Sequence, residues 1–100
     1  MSGGAFDYSF YKVEEFVQEL NERIANNESD GYNYNKEVII NLKAISLLSE
    51  VTSRIMREAE LLYSGDISEE KFINNLENLK TGFDSRFDTL NKEFEDAYKS

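Results

Sequence analysis

Residues Glu37 to Tyr63 read EVIINLKAISLLSEVTSRIMREAELLY, and how this run folds decides the class of the whole chain. Its first four residues, Glu37 to Ile40, look like a strand, because β-branched side chains favour sheets. The rest does not. Ala44, Leu47, Leu48, Val51, Ile55, Ala59 and Leu62 recur at helical spacing, and Val38, Leu42 and Ile45 widen the same stripe. No other stretch offers Val38–Ile40 a partner strand. The spacing therefore predicts one helix over about 35–63.

Outward from this run the period persists. Phe10, Val13, Val17, Leu20 and Ile24 are spaced 3-4-3-4, with Phe16 beside them. They predict a helix over about 8–27, with Asp7 as its cap and Glu14 and Glu15 in its early turns. Residues 28–35, ESDGYNYN, form a loop. Asp30-Gly31 signals a turn there, and Tyr32 and Tyr34 are candidates either for an interface or for covering the bundle end. Ser64-Gly65-Asp66 breaks the second helix, with Gly65 suited to the left-handed position past a helix end. Ser68 caps the third helix. Phe72, Leu76, Leu79, Phe83, Phe87, Leu90 and Phe94 then run 4-3-4-4-3-4, and Tyr98 extends the row. Gly82 interrupts it at roughly 1 kcal/mol relative to alanine, which marks a bend or a close helix contact. The expected fold is all-α: a small bundle of three helices with a long C-terminal helix, oligomeric, in a single domain over 1–100. Residues 1–7 form a glycine-containing segment. Residues 76–98 form an aromatic helix for oligomerisation, with Phe83, Phe87, Leu90 and Phe94 at the interface.

Composition bounds the function. The 100 residues contain no cysteine, histidine or proline. Thiolate chemistry, most zinc and iron sites and the usual general bases are thereby excluded. Clustered carboxylates such as Glu14/Glu15, Glu69/Glu70 and Glu93/Glu95/Asp96 could serve hydrolysis or Mg²⁺, but bundle metal sites pair Glu with His, and runs of charge are usually solvated faces. No catalytic residue, metal ligand or cofactor is assigned. The net charge of −9, from 20 acidic and 11 basic residues, argues against direct DNA binding. It permits a basic protein partner or mimicry of a polyanion. No apolar run reaches the roughly 18 residues of a membrane span, and the start lacks the basic and apolar regions of a signal peptide.

The opening MSGGAFDY carries two of the five glycines, directly before two aromatic residues. Gly3 and Gly4 let backbone amides approach a ligand, and Ser2 lies beside them. Successive amides ahead of a helix can cradle an anion. Phe6, Tyr8 and Tyr11 could stack on a base, and Arg54 and Arg57, one turn apart, suit phosphate. The competing reading is a terminus whose Phe6 and Tyr8 staple onto the core, with Arg54 paired to Glu50 or Glu58. No phosphate-loop pattern is present.

The opening SGGAFDY (Ser2, Gly3, Gly4, Phe6, Asp7, Tyr8) and the later LLYSGDISEE, with Ser64, Gly65 and Asp66, resemble a family of small proteins common in bacteriophages and prophages. The resemblance covers roughly residues 1–75. It implies a phage context and the cytoplasm of an infected bacterium. Small acidic phage proteins often act against host immunity, and some sequester nucleotide signals. The expected function is therefore a non-catalytic binding protein that counters host immunity by sequestering a small nucleotide-derived ligand. The alternative is an acidic inhibitor of a host defence protein, acting through nucleic-acid mimicry.

Overall fold

The computed structural model describes residues 4–99, with side chains described as far as Asp96. Three helices account for most of it: α1 (Phe10–Ala25), α2 (Lys36–Tyr63) and α3 (Glu69–Lys99). There is no strand among the described residues. Tyr98, the expected end of the aromatic row, has a side chain outside the described ones.

The strand-like Val38–Ile40 is helical for two reasons. Asn35 caps the helix, its side-chain oxygen accepting from the Val38 amide at 2.9 Å. Ile40, 3% exposed, sits one heptad before buried Leu47 on the α3 side. At the other end of α2, the Asp66 amide reaches the Leu61 carbonyl at 2.9 Å and the Gly65 amide the Leu62 carbonyl at 3.1 Å. This is a Schellman closure, with Gly65 at φ +78°. Ser68 then caps α3, accepting from the Lys71 amide at 3.1 Å.

The start of α1 departs from expectation. Asp7 and Tyr8 have φ of 54° and 53°, so neither begins the helix and Asp7 is not its cap. The helix starts at Phe10 after Ser9, whose hydroxyl donates to the Phe6 carbonyl at 2.7 Å instead of capping. Gly82 also differs. A Cβ there would meet nothing within 4 Å, so the glycine marks no close helix contact.

α2 is the middle helix: α1 and α3 pack against it and not against each other. The Cα trace measures 52 × 27 × 12 Å. With α1 and α3 on either side of α2 and not touching each other, the three helices form a single open layer. The α2–α3 seam holds Ile40, Leu47, Phe83 and Leu90, with Ala44, Val51, Leu79, Phe87 and Phe94 packed against them. The α1–α2 seam is more polar. Phe10 and Val17 are its buried apolar residues, and on α2 a seven-residue row of Ser46, Ser53 and Glu60 is buried. The Ser46 hydroxyl donates to Asn21 Oδ1 of α1 at 2.5 Å, which places this row on α1's side.

The broad apolar stripe expected on α2 therefore divides. One part enters the α3 seam. The other, Val38, Asn41, Ile45, Leu48, Thr52, Ile55 and Ala59 at 3-4 spacing, follows one open face of the helix. Val38, Ile45, Leu48 and Ile55 stand 38–55% exposed there. The opposite face carries Lys36, Lys43, Glu50 and Arg57 every seven residues. On that face Lys43 pairs with Glu93 at 3.6 Å and Arg86 with Glu50.

Candidate functional site: an N-terminal hook closed on Glu60

Gly4 to Ser9 form a hook that crosses the end of α2. Gly4 at φ +80° and the left-handed Asp7 and Tyr8 curl the backbone, and the Asp7 amide bonds the Gly4 carbonyl at 3.1 Å. This curl turns two amides in one direction. The Phe6 amide donates to Glu60 Oε2 and the Tyr8 amide to Glu60 Oε1, each at 2.8 Å. Ser64 completes the set. Its hydroxyl donates to Glu60 Oε2 at 3.4 Å and accepts from the Ala5 amide at 3.3 Å.

Glu60 is 2% exposed. A carboxylate that deep is unfavourable unless its oxygens are hydrogen-bonded. The hook supplies those bonds, and Glu60 in turn satisfies amides that no helix ladder uses. Rings reinforce the contact. Phe6 meets Tyr63 edge-on at 5.5 Å between centroids. Tyr8 lies 6.2 Å from both Phe10 and Tyr11, and Phe10 and Tyr11 are 4.4 Å apart. The Arg57 guanidinium lies over the Phe10 ring at 5.9 Å.

The structure thus gathers Gly4, Phe6, Tyr8, Tyr11 and Arg57 at one end of the α1–α2 pair. Ser2 and Gly3 lie outside the described residues. Arg54 is exposed on α2 one turn earlier. Neither expected partner bonds Arg54: Glu50 pairs with Arg86, and Glu58 accepts from Asn75 Nδ2 at 3.1 and 3.2 Å. The four residues assigned to an oligomer interface have another role. Phe83 and Leu90 are buried in the α2–α3 seam, and Phe87 and Phe94 pack against it. Tyr32 and Tyr34 stack on each other at 5.4 Å, with Tyr32 Oη accepting from Arg23 at 3.3 Å. Arg23 also bonds Glu19 at 3.1 Å, and that bond raises its guanidinium pKa.

Two features bear on chemistry. The Phe6 and Tyr8 amides, just past the glycine pair expected to cradle an anion, hold an internal one. Beside them a cleft of about 310 Å³ is lined by Phe6, Ser9, Phe10, Met56, Ala59 and Glu60, and its only ionisable group is the saturated Glu60. Among the described residues no cluster of acids could hold a metal ion, and no helix is long and apolar enough to cross a membrane.

Glu60 itself was not legible as a site residue. The available signal was its place in the row Ser46, Ser53, Glu60, where small polar residues line the α1 side of α2. The two motifs that carry the family resemblance, GAFDY and YSGD, meet here: Ala5, Phe6 and Tyr8 engage Glu60, Tyr63 and Ser64. No protein-family model, curated protein or solved structure matches the chain.

Proposed function

We propose that the chain is a non-catalytic binding protein that acts by protein–protein contact, its acidic outer helices occupying a basic surface of a partner. The observation that carries this reading is the distribution of charge. α2 balances four acids with four bases, while α1, α3 and the connecting segments carry the whole acidic excess. The exposed acids, Glu15, Glu19 and Glu22 of α1 and Glu77, Asp84 and Asp88 of α3 among them, therefore lie on the outer helices, where a basic groove can meet them. The resemblance of the opening motif favours a bacterial defence factor met by a phage, in the cytoplasm of the infected cell, as that partner, and the exposed carboxylates of the outer helices suit mimicry of nucleic acid.

Glu60 favours this reading over sequestration of a nucleotide. A phosphate at the Phe6 and Tyr8 amides has to displace a carboxylate and leave it buried with the Ser64 hydroxyl alone, at a cost of about 3 kcal/mol. The test has two arms. Calorimetry with cyclic nucleotides and ADP-ribose derivatives is expected to show no binding; micromolar binding that Phe6→Ala abolishes overturns the reading. Capture from host lysate is expected to yield a partner released by salt. Its retention is expected to fall when Glu77, Asp84 and Asp88 are changed to lysine; a partner indifferent to both also overturns it.

A further inference from the structure

The open face of α2 is uncharged from Val38 to Ala59, in a chain of which 31% of residues are charged. Its two polar members turn their donors back onto their own helix. Asn41 Nδ2 donates to the Glu37 carbonyl at 2.9 Å and the Thr52 hydroxyl to the Leu48 carbonyl at 2.9 Å. Each thus spends one donor on its own helix, which lessens its pull on a polar partner. Leu48 is 55% exposed and Ile45 46%. On α1, Phe16 is 48% exposed, and it lies on the edge of α1's apolar stripe that passes through Val13 and Leu20. Ser9, just ahead of α1, and Met56 of α2, which follow these two apolar rows, line the same cleft. The rows therefore open on one side of the layer.

We infer that this face is closed by a second copy of the chain, with α2 lying against α2 across a two-fold axis. Three observations select that occupant. A stable domain is built from at least two packed layers, and here α1 and α3 both pack on α2 and not on each other, so a second copy supplies the missing layer. The area is sufficient. The α2 strip extends about 33 Å at 1.5 Å per residue and α1 about 24 Å, and at a width of about 10 Å each they make about 570 Å² per copy. The pair buries about 1,100 Å², above the roughly 1,000 Å² that a specific interface needs. The third observation is charge. A two-fold interface sets a surface against itself, and on a chain of net charge −9 the α2 strip can do so without opposing like charges. An acidic chain recognising a different protein through this face has no charge there to choose it with.

This inference is independent of the function proposed for the acidic helices, which fails or stands on a partner's salt dependence. Sedimentation equilibrium of the full chain between about 5 and 200 µM reads the dimer directly, because its population follows concentration. Wild type is expected at twice the chain mass. Leu48→Glu and Leu48→Lys are both expected to weaken dimerisation at least ~100-fold, since either charge is stranded at the centre of an apolar interface. Thr89→Glu, exposed on the opposite face, adds the same charge as Leu48→Glu and is expected to leave the dimer intact. Far-UV circular dichroism confirms that each variant keeps its helices, as a half-exposed Leu48 allows. Wild type monomeric throughout overturns the inference and leaves the face to a different protein. A dimer untouched by Leu48→Glu, or broken by Leu48→Glu and not by Leu48→Lys, overturns it as well.

Discussion

A carboxylate buried to 2% exposure with two backbone amides at 2.8 Å is a cross-brace between residues 54 and 52 positions apart in the chain. Deleting it strands both amides and empties the space beneath the hook. Glu60→Ala is expected to lower unfolding stability by about 2–4 kcal/mol in urea titration, since each unsatisfied buried partner costs about 1–3 kcal/mol. Glu60→Gln keeps one good acceptor and replaces the other with a donor facing an amide, so about 1–2 kcal/mol is expected by the same reasoning. Equal stability of wild type and Glu60→Ala would show that the hook is not a brace. Gly65 tests a different force. At φ +78° with nothing within 4 Å of a Cβ, Gly65→Ala meets no neighbour and suffers only left-handed backbone strain. About 1 kcal/mol is expected.

Helices rank by what fills their seams. Phe83 and Leu90 of α3 lock into Ile40 and Leu47 of α2, so Leu90→Ala is expected to cost about 2–5 kcal/mol in the same titration. Gly82 points the other way. It sits exposed in the interior of α3, and Gly82→Ala is expected to raise stability by about 0.5–1 kcal/mol, because alanine loses less backbone entropy in a helix and meets no neighbour there. A loss on Gly82→Ala would mean that α3 needs the glycine for a bend. These elements were largely visible in the residue pattern. Ser68 caps α3, Gly65 closes α2, and the aromatic row is helical throughout. Two things were hidden. A 3-4 spacing reports that a helix has an apolar side, not how many neighbours share it, so the α2 stripe gave no sign that half of it stays open. Similarly, Phe83, Phe87, Leu90 and Phe94 look alike whether they face another helix of the chain or another copy. The Glu60 brace was hidden for a further reason: its partners are backbone amides, which every residue but proline carries, so no side-chain motif announces it.

At the scale of the whole molecule, a layer whose two seams differ should open unevenly. The α1 seam holds Phe10, Val17 and buried serines, whereas the α3 seam holds a contiguous apolar cluster. Each fully buried large apolar side chain contributes about 1.5–3 kcal/mol, so α1 separates from α2 at lower free energy than α3 does. Amides in the middle of α1, around Val17, are accordingly expected to exchange with solvent at least ~10-fold faster than those around Leu47 and Leu90, through a partial opening that leaves the α2–α3 pair intact. The hook adds a constraint. It ties the start of α1 to the end of α2 through Glu60, so Glu60→Ala is expected to speed exchange in α1 while the α2–α3 seam keeps its own rates. Self-association across the open face adds another, because Phe16 of α1 and Leu48 of α2 are then covered together. Protection of α1 should rise with protein concentration in wild type and stay flat in Leu48→Glu. Uniform exchange across the three helices, insensitive to both substitutions, would mean that the layer unfolds as one unit and that neither the brace nor the open face governs its stability.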